Sequence, residues 1–257
     1  MTLHSPLPMA LKPDVFLPFR SVIAAESTRH GGVSSPPFET LNLGLSSGDE
    51  QGRVMENRQR FFGSLGIGLD ELVLSHQVHG DKIYVAEKSE NIEGFDALIT
   101  HRKNLFLAVS VADCTPVLIY DSRQQAVAAI HAGWRGTAAG IVFKTLGKLM
   151  DTFGTTPADC MAYIGTCIDE CAFEVGEDVA EQFQAAHKRF DQSTQKFLID
   201  LKAANRLQLE DAGVPHANIE VSPRSSFDAD FFSYRKSQGR TGRMMAVIGL
   251  RENETRK

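Results

Sequence analysis

Two nearly continuous apolar runs place the strongest constraint on the fold of this chain. They cover Leu105–Ala112 and Ala126–His131. A strand covered on one face alternates apolar and polar side chains, whereas a strand covered on both faces reads as an almost unbroken apolar run. The sequence therefore predicts that both segments are strands in the interior of the protein.

Other segments carry β-branched or alternating apolar residues and predict further strands. These strands are predicted at 21–28, 72–78, 82–86, 97–100, 117–120, 161–165, 218–221 and 244–250. Apolar residues at helical spacing predict helices over 49–65, 137–153, 175–190 and 200–211. Because strands and helices do not alternate regularly, we predict a mixed-sheet α+β domain rather than a doubly wound one.

The length of 257 residues suits one domain of this class, and no segment has the composition of a linker. Four prolines between residues 1 and 20 predict an N-terminal arm without regular elements. This stretch does not have the pattern of a signal peptide. We therefore expect an arm over 1–20 and a single catalytic domain over 21–257.

The charge and hydropathy pattern excludes several classes of protein. A net charge of −5, a pI near 5.9 and the lack of a Lys/Arg-rich block argue against binding to nucleic acid or an anionic membrane. No apolar stretch is long enough to span a bilayer. Four sparse cysteines are typical of free thiols in a reducing compartment. We expect a cytoplasmic protein, in which a small cationic pocket remains compatible with the overall charge.

Three short stretches place a histidine or cysteine where an apolar strand gives way to Gly, Pro or polar residues. They are Ser75–Gly80, Ala112–Pro116 and His131–Gly136. Cys thiolates and His nitrogens are the ligands of zinc, and three protein ligands leave one position for water or substrate. The candidate ligands are His79, Cys114 and His131. A structural role for each, as a hydrogen-bonded histidine or a small buried thiol, remains the alternative.

His76 competes with His79 as the ligand from the first stretch. Side chains alternate along a strand, so these two are predicted to point to opposite faces. Gly80 indicates that the chain turns at His79. We therefore assign His79 to the cleft and a structural role to His76.

Two arginines are candidate anion binders. Arg135 lies between Gly133 and Gly136, just before a helix predicted to start near Thr137. Exposed N–H groups at a helix start and a guanidinium fork both bind phosphate or carboxylate. The alternative is that Arg135 is a surface ion-pair partner. Arg29, beside a Gly-Gly turn, is a second cationic candidate whose alternative is a solvated loop residue.

Several motifs in order, from Thr28 to Arg243, resemble the YfiH-type family, also called polyphenol-oxidase-like or laccase-domain proteins. The matching segments are 28–34, 41–44, 56–58, 77–80, 112–118, 131–136, 173–176, 232–235 and 241–243. The resemblance implies mixed β-sheets packed between helical layers. It also implies that His79, Cys114 and His131 bind zinc, or copper in earlier assignments of the family.

The resemblance further implies purine nucleoside phosphorolysis to a free base and ribose 1-phosphate, acting on adenosine, inosine and methylthioadenosine, together with adenosine deamination. A role in peptidoglycan editing has also been attached to the family. In this interpretation Arg135 and Arg29 bind phosphate and Gln77 contacts the base. Asp113 carries a proton or supports the ligands. We expect a monomer whose partners are a purine nucleoside and phosphate.

Three other functions remain open at this point. A mononuclear copper oxidase uses the same two His and one Cys, although eight histidines and no His-x-His pair are few for a laccase. A metal-independent hydrolase or amidase would use Cys114 as nucleophile and His131 as its base. A non-catalytic metal-binding protein would turn over no nucleoside.

Overall fold

The computed structural model describes residues 9–252, in which fifteen strands and five α-helices are formed. The strands are β1 Ala10–Leu11, β2 Val22–Ser27, β3 Leu72–His76, β4 Ile83–Val85, β5 Glu90–Glu93, β6 Ala97–Thr100, β7 Phe106–Val111, β8 Thr115–Asp121, β9 Ala126–Ala132, β10 Cys160–Ile164, β11 Glu174–Val175, β12 Lys188–Asp191, β13 Lys196–Ile199, β14 Ile219–Val221 and β15 Met244–Leu250. The helices are α1 Gln51–Ser64, α2 Trp134–Ala138, α3 Ile141–Phe153, α4 Glu177–Ala180 and α5 Leu201–Asp211.

Two six-stranded sheets and one small sheet contain these strands. The first has the order β1-β2-β15-β7-β3-β5, the second β14-β10-β8-β9-β6-β4, and the small sheet β11-β13-β12. Both large sheets mix parallel pairs, such as β3 with β7 and β4 with β6, with antiparallel ones. The predicted α+β class with mixed sheets is confirmed.

The packing of β8 and β9 explains the apolar runs in the sequence. Alternate residues of β8 point to opposite faces of the second sheet. Leu118 and Tyr120 pack between the two large sheets, together with β7 and β15. Val117 and Ile119 pack on the other side, against α3 and α5. Because both faces are covered, nearly every position in these strands is apolar.

The outer layers are helical. Helix α1 places Phe61 and Phe62 against the outer face of the first sheet, where β7 and β15 contribute Phe106 and Val247. Helices α3 and α5 cover the second sheet. The predicted arrangement of mixed sheets between helical layers is thus confirmed. None of the helices between residues 9 and 252 is long and apolar enough to cross a lipid bilayer.

Two helix predictions need correction. The segment 175–190 is not one helix but contains the end of β11, the short α4, a 3-10 turn at Ala185–His187 and most of β12. The strands at its two ends, β11 and β12, both pair with β13. These inter-strand hydrogen bonds take the place of helical ones. The segment predicted as one helix over 137–153 starts earlier, at Trp134, and breaks at Gly140, whose φ of 77° lies in the left-handed region.

The predicted N-terminal arm is ordered where it is described. Strand β1 pairs with β2 through Ala10 and Ser27, and a 3-10 turn follows at Asp14–Phe16. Phe16 is 3% exposed and packs in the core between the sheets. From residue 9 onward this stretch belongs to the fold, because strand pairing and an apolar anchor compensate for its prolines. Residues 1–8 lie outside the described residues.

Candidate metal centre

The three candidate ligands lie at one edge of the second sheet. Strands β8 and β9 are antiparallel with Pro116 opposite His131, so the start of β8 and the end of β9 meet there. Cys114 immediately precedes β8. His79 comes from the turn after β3, where its φ of 59° bends the chain toward the same edge. Three segments far apart in sequence therefore converge.

The ligand atoms of His79, Cys114 and His131 all lie within 4.8 Å of one another. The two imidazole rings meet edge to face with centroids 4.8 Å apart. His131 is buried, Cys114 half-buried and His79 exposed, so the cluster has an inner and an outer side. Such a set of one sulfur and two nitrogens can hold a single transition-metal ion.

The electrostatics of the cluster favour an ionised thiol. Burial raises the pKa of the Cys114 thiol, but the charge of His131 and hydrogen bonds from both imidazoles outweigh it and lower that pKa. Burial opposes the charged form of His131, yet Cys114 and Asp96 together raise the pKa of this imidazole. The thiolate is the form of cysteine that binds a metal or attacks a substrate, so the site is prepared for either role.

Asp96 fixes the geometry of the cluster and was not predicted from the sequence. Its carboxylate is fully buried and accepts from Nδ1 of His131 at 2.8 Å. It also accepts from the backbone N–H groups of His79 at 2.9 Å and Gly80 at 2.8 Å. One carboxylate therefore orients His131 and the turn that carries His79. The bond to Nδ1 leaves Nε2 of His131 as its ligand atom, which is the usual carboxylate–histidine–metal arrangement.

Gly133 leaves room beside the cluster. A Cβ atom at this position would lie 3.1 Å from Cδ2 of His79 and 3.2 Å from Sγ of Cys114. The same atom would lie 3.7 Å from Cε1 of His131. The absence of a side chain is therefore what keeps space next to all three ligand residues. Donor chemistry, orientation by Asp96 and this space together fit a bound metal ion.

The cluster opens into a cavity of about 800 Å³ whose wall includes residues of α1 and α2 and of β3, β5, β7 and β15 in the first sheet. Four arginines line it, Arg58, Arg135, Arg235 and Arg243, against two carboxylates, Glu93 and Asp113. Although the chain carries a net charge of −5, this cavity has a cationic excess. Its size lies within the range of roughly 300–1,000 Å³ typical of small-molecule sites.

The family described as "multi-copper polyphenol oxidoreductase laccase" matches residues 23–251. The chain belongs to this family. The match confirms the YfiH-type resemblance and covers every element that builds the cluster. The family's description refers to several copper ions. Residues 9–252, however, contain one group of at least three His, Cys, Asp or Glu side chains placed to hold a metal.

Members of the family with names and solved structures are similar over nearly their whole length. A purine nucleoside phosphorylase of Deinococcus radiodurans is 40% identical, with 97% of this chain and 96% of that protein covered. The hypothetical protein YfiH of Bacillus licheniformis superimposes with a TM-score of 0.90 at 34% identity, covering 95% of this chain and 97% of that one. YlmD of Geobacillus stearothermophilus gives 0.87 at 36% identity, covering 92% and 94%.

Gln77 and Asp113 line the cavity, but their polar atoms hold loops. The amide of Gln77 bonds to the backbone of Ser110 in both directions, donating at 2.8 Å and accepting at 2.7 Å. The geometry supports a positioning role for Gln77, and its contact with the base stays a prediction. Both oxygens of Asp113 accept at 2.6 Å, one from the Ser226 hydroxyl and one from the backbone N–H of Arg235. Of its two predicted roles, the geometry supports anchoring of the Cys114 loop.

The two predicted anion binders are placed differently. Arg29 does not line the cavity, because its guanidinium contacts Glu39 and lies 4.9 Å from the ring of Phe232. The cavity therefore gives no support to anion binding by Arg29, which stays a prediction. Arg135 does line it, stacked 4.2 Å from the Trp134 ring and without an ion pair to any residue between 9 and 252.

His76 lines the same cavity as His79. The prediction that the two side chains point to opposite faces of the strand therefore does not exclude His76 from the cavity.

Three site residues escaped the sequence analysis. Asp96 gave no signal beyond being an acid next to the apolar segment of β6, and only the pairing of β6 with β9 brings it opposite His131. Arg58 and Arg243 lie in motifs shared with the family, but nothing in their spacing connects them to the cavity. In the structure, both arginines lie in the wall of the cavity.

Replacing Gly133 with alanine is expected to weaken metal binding without unfolding the protein. Its φ of −67° suits any residue, so the effect is a steric push on His79 and Cys114. We expect the metal dissociation constant to rise about tenfold, the lower end of the effect of disturbing ligand support. Competition with a chromophoric chelator measures this constant.

The matched control is Gly147→Ala in α3, where an added Cβ meets no atom within 4 Å. It should leave metal affinity unchanged and stabilise the helix by roughly 0.5–1 kcal/mol, because glycine is a poor helix former. Equal metal affinity in Gly133→Ala and the wild type would show that the space beside Gly133 is irrelevant to the ion.

Proposed function

We propose that the chain is a metal-dependent purine nucleoside phosphorylase that converts adenosine or inosine, with phosphate, to a free base and ribose 1-phosphate. The observation that carries the proposal is the His79–Cys114–His131 cluster in the wall of a cationic cavity. Relatives named purine nucleoside phosphorylase match most of the chain and support the same reaction class. A nucleoside and an anion are the two reactants that such a cavity has to accept.

Zinc is the ion that we assign to the cluster, since one thiolate and two imidazoles are among its preferred donors. When bound, it supplies a Lewis acid that polarises an oxygen atom or lowers the pKa of a water molecule. His79, Cys114 and His131 would hold the ion, while Asp96 keeps His131 oriented. Copper favours the same donors and is the alternative, which a strong visible thiolate-to-copper absorption band would identify.

The cavity offers groups for each part of the reaction. A phosphate oxygen bonds to C1′ of the ribose while the bond from C1′ to the purine nitrogen breaks, and the leaving base takes up a proton. The rings of Trp134, Phe173 and Tyr234 line the cavity and present faces on which a base can stack. Methylthioadenosine, which keeps the base and C1′, is included as a substrate, and adenosine deamination as a second activity.

Turnover with and without phosphate tests the proposal. Metal-analysed protein is incubated with adenosine, inosine or methylthioadenosine, and the products are separated by chromatography. We expect base release only when phosphate is present: adenosine and inosine should give adenine and hypoxanthine with ribose 1-phosphate, and methylthioadenosine should give adenine with methylthioribose 1-phosphate. Adenosine should also give inosine and ammonia with or without phosphate. Treatment with a strong chelator should abolish both activities, and added zinc should restore them. Metal-loaded protein that releases no base with phosphate would refute the phosphorylase assignment.

A second candidate is a metal-independent hydrolase or amidase, including one that edits peptidoglycan. It is favoured by one observation, the alignment of Asp96, His131 and Cys114 as orienting acid, base and nucleophile. His79 has no part in such a triad. Amide hydrolysis that survives exhaustive chelation and ends on alkylation of Cys114 would support this function over the metal-dependent one.

A further inference from the structure

We propose that Arg58 and Arg243 form a binding subsite for a phosphate dianion in the wall of the cavity. The inference rests on the proposed function, because it names the place where the phosphate of phosphorolysis binds. The ligand chemistry is a phosphoryl group with two negative charges. Its source is either inorganic phosphate, which we favour, or the 5′-phosphate of a nucleotide.

Arg58 is a buried cation without a carboxylate partner. Its residue is 8% exposed, its side chain lines the cavity, and its Nε donates to the backbone oxygen of Leu43 at 2.8 Å. The other two arginines of α1 form ion pairs, Arg53 with Glu50 and Arg60 with Glu56, whereas Arg58 forms none with residues 9–252. A charge held out of water without a counter-ion is costly, so an arginine kept in this state points to an anionic ligand.

Burial alone also lowers the pKa of Arg58 to about 10, with no neighbouring negative charge to offset it. The group nevertheless stays protonated at neutral pH. Its Nε is used by Leu43, and the rest of the guanidinium is left for the cavity. A guanidinium presents paired N–H donors that match the oxygens of a phosphate.

Arg243 is held next to Arg58 by the same backbone segment, Asn42–Gly44. The N–H of Arg243 donates to Oδ1 of Asn42 at 2.9 Å, and its oxygen accepts from Leu43 at 3.0 Å. Gly44 provides the passage for its side chain, because a Cβ there would lie 2.5 Å from Cγ of Arg243. One segment thus carries two guanidinium groups into one cavity.

Arg243 also connects the subsite to the metal cluster. Burial lowers the pKa of its guanidinium, and electrostatic interactions with Cys114 and Asp113 are among those that oppose this effect. The guanidinium lies 5.4 Å from the ring of Tyr234, one of the candidate base-stacking surfaces. It forms no ion pair with residues 9–252, and its Nη1 bonds only the backbone oxygens of Thr241 and Gly242. The two arginines, the Tyr234 ring and the metal cluster therefore line the same cavity.

The carboxylates of the cavity do not neutralise this pair. Both oxygens of Asp113 are taken by Ser226 and Arg235, and Glu93 has no ion pair with either arginine. Two guanidinium groups that form no ion pair with residues 9–252 match the two negative charges of a phosphate dianion. Arg135, whose guanidinium stacks on Trp134, is left to other parts of the substrate.

The test measures phosphate binding directly. Zinc-loaded protein is titrated with inorganic phosphate by calorimetry, and we expect Arg58→Met to weaken binding at least tenfold. Arg58→Lys keeps the positive charge but loses the paired N–H donors of the guanidinium. Its phosphate affinity should lie between those of the wild type and Arg58→Met. Arg60→Met is the matched control, since Arg60 is an exposed arginine of the same helix, and it should bind phosphate like the wild type. Wild-type phosphate affinity in folded, zinc-loaded Arg58→Met would overturn the subsite.

A second variant and a second ligand complete the test. If Arg58→Met does not fold, Arg243→Gln tests the partner arginine, and unchanged phosphate affinity in that variant overturns the proposal. Titration with adenosine 5′-monophosphate distinguishes the sources: a nucleotide that binds through Arg58 while inorganic phosphate neither binds nor competes contradicts our choice of ligand. If phosphate binding depends on Arg58 but no phosphorolysis occurs, the subsite stands and the proposed function is rejected. If phosphorolysis occurs and the KM for phosphate is unchanged in both variants, the proposed function stands and the subsite is rejected.

Discussion

Cys114→Ser is expected to remove the metal and nearly all activity while the fold stays intact. Serine keeps the size of the side chain but is not a thiolate, so the cluster loses its charged ligand. The catalytic contribution of a bound metal is several kcal/mol, and about 4 kcal/mol corresponds to roughly a 1,000-fold loss of rate. Elemental analysis and initial rates of base release measure the two effects.

The control for this variant is Cys171→Ser. Cys171 is exposed and does not belong to the cluster, so its replacement should leave metal content and rate within about twofold of the wild type. A Cys114→Ser protein that retains a full equivalent of metal and more than a tenth of the activity would remove Cys114 from the ligand set. Loss of activity in Cys114→Ser combined with full activity of chelated wild type would favour the Cys–His hydrolase.

The large sheets could be predicted from the sequence because their residues are buried on both faces. Strands β7, β9 and β15 read as apolar runs, and their predicted bounds agree with the structure within about two residues. Short edge strands such as β5 and β12 could not be predicted in this way. They are mostly polar or exposed, and they form because a partner strand supplies hydrogen bonds, which leave no periodic pattern.

The segment 175–190 shows how helical spacing can mislead. Val175, Val179 and Phe183 repeat every four residues, and all three do pack in one apolar cluster. They reach it, however, from a strand, a one-turn helix and a loop. Gly176, the N-cap of α4, separates the first two elements. The burial pattern was therefore correct while the backbone conformation was decided by pairing with β13.

The candidate ligands and their supporting residues differ in how far the sequence could reveal them. Each ligand follows or ends an apolar strand beside Gly or Pro, and shared motifs reinforce that local signal. The positions of the supporting residues depend only on tertiary contacts between distant segments. Asp96 reaches His131 because β6 pairs with β9, and Arg58 reaches the cavity from α1, which packs on the same face of the first sheet as the cavity residues Ala108 and Met245.

Asp96→Asn is expected to reduce metal affinity 10- to 100-fold, the usual effect of removing a carboxylate that orients a ligating histidine. Asparagine has the same shape, but its NH₂ group can donate only. At least one of the four groups that now donate to Asp96, namely Nδ1 of His131 and the N–H groups of Val78, His79 and Gly80, would then face a donor. Chelator competition on zinc-loaded protein measures the change.

A loss of fold stability accompanies this change and has to be separated from it. A buried donor left without an acceptor costs about 1–3 kcal/mol, so Asp96→Asn should also lower the free energy of unfolding of the metal-free protein. Asp121→Asn is the matched control, because Asp121 is also fully buried and accepts from backbone N–H groups, yet lies at the opposite end of β8. Both of these N–H groups bond to Oδ1, which asparagine retains, so this change should leave the free energy of unfolding and the zinc affinity close to those of the wild type. If both variants bind zinc as tightly as the wild type, Asp96 supports the fold rather than the ion.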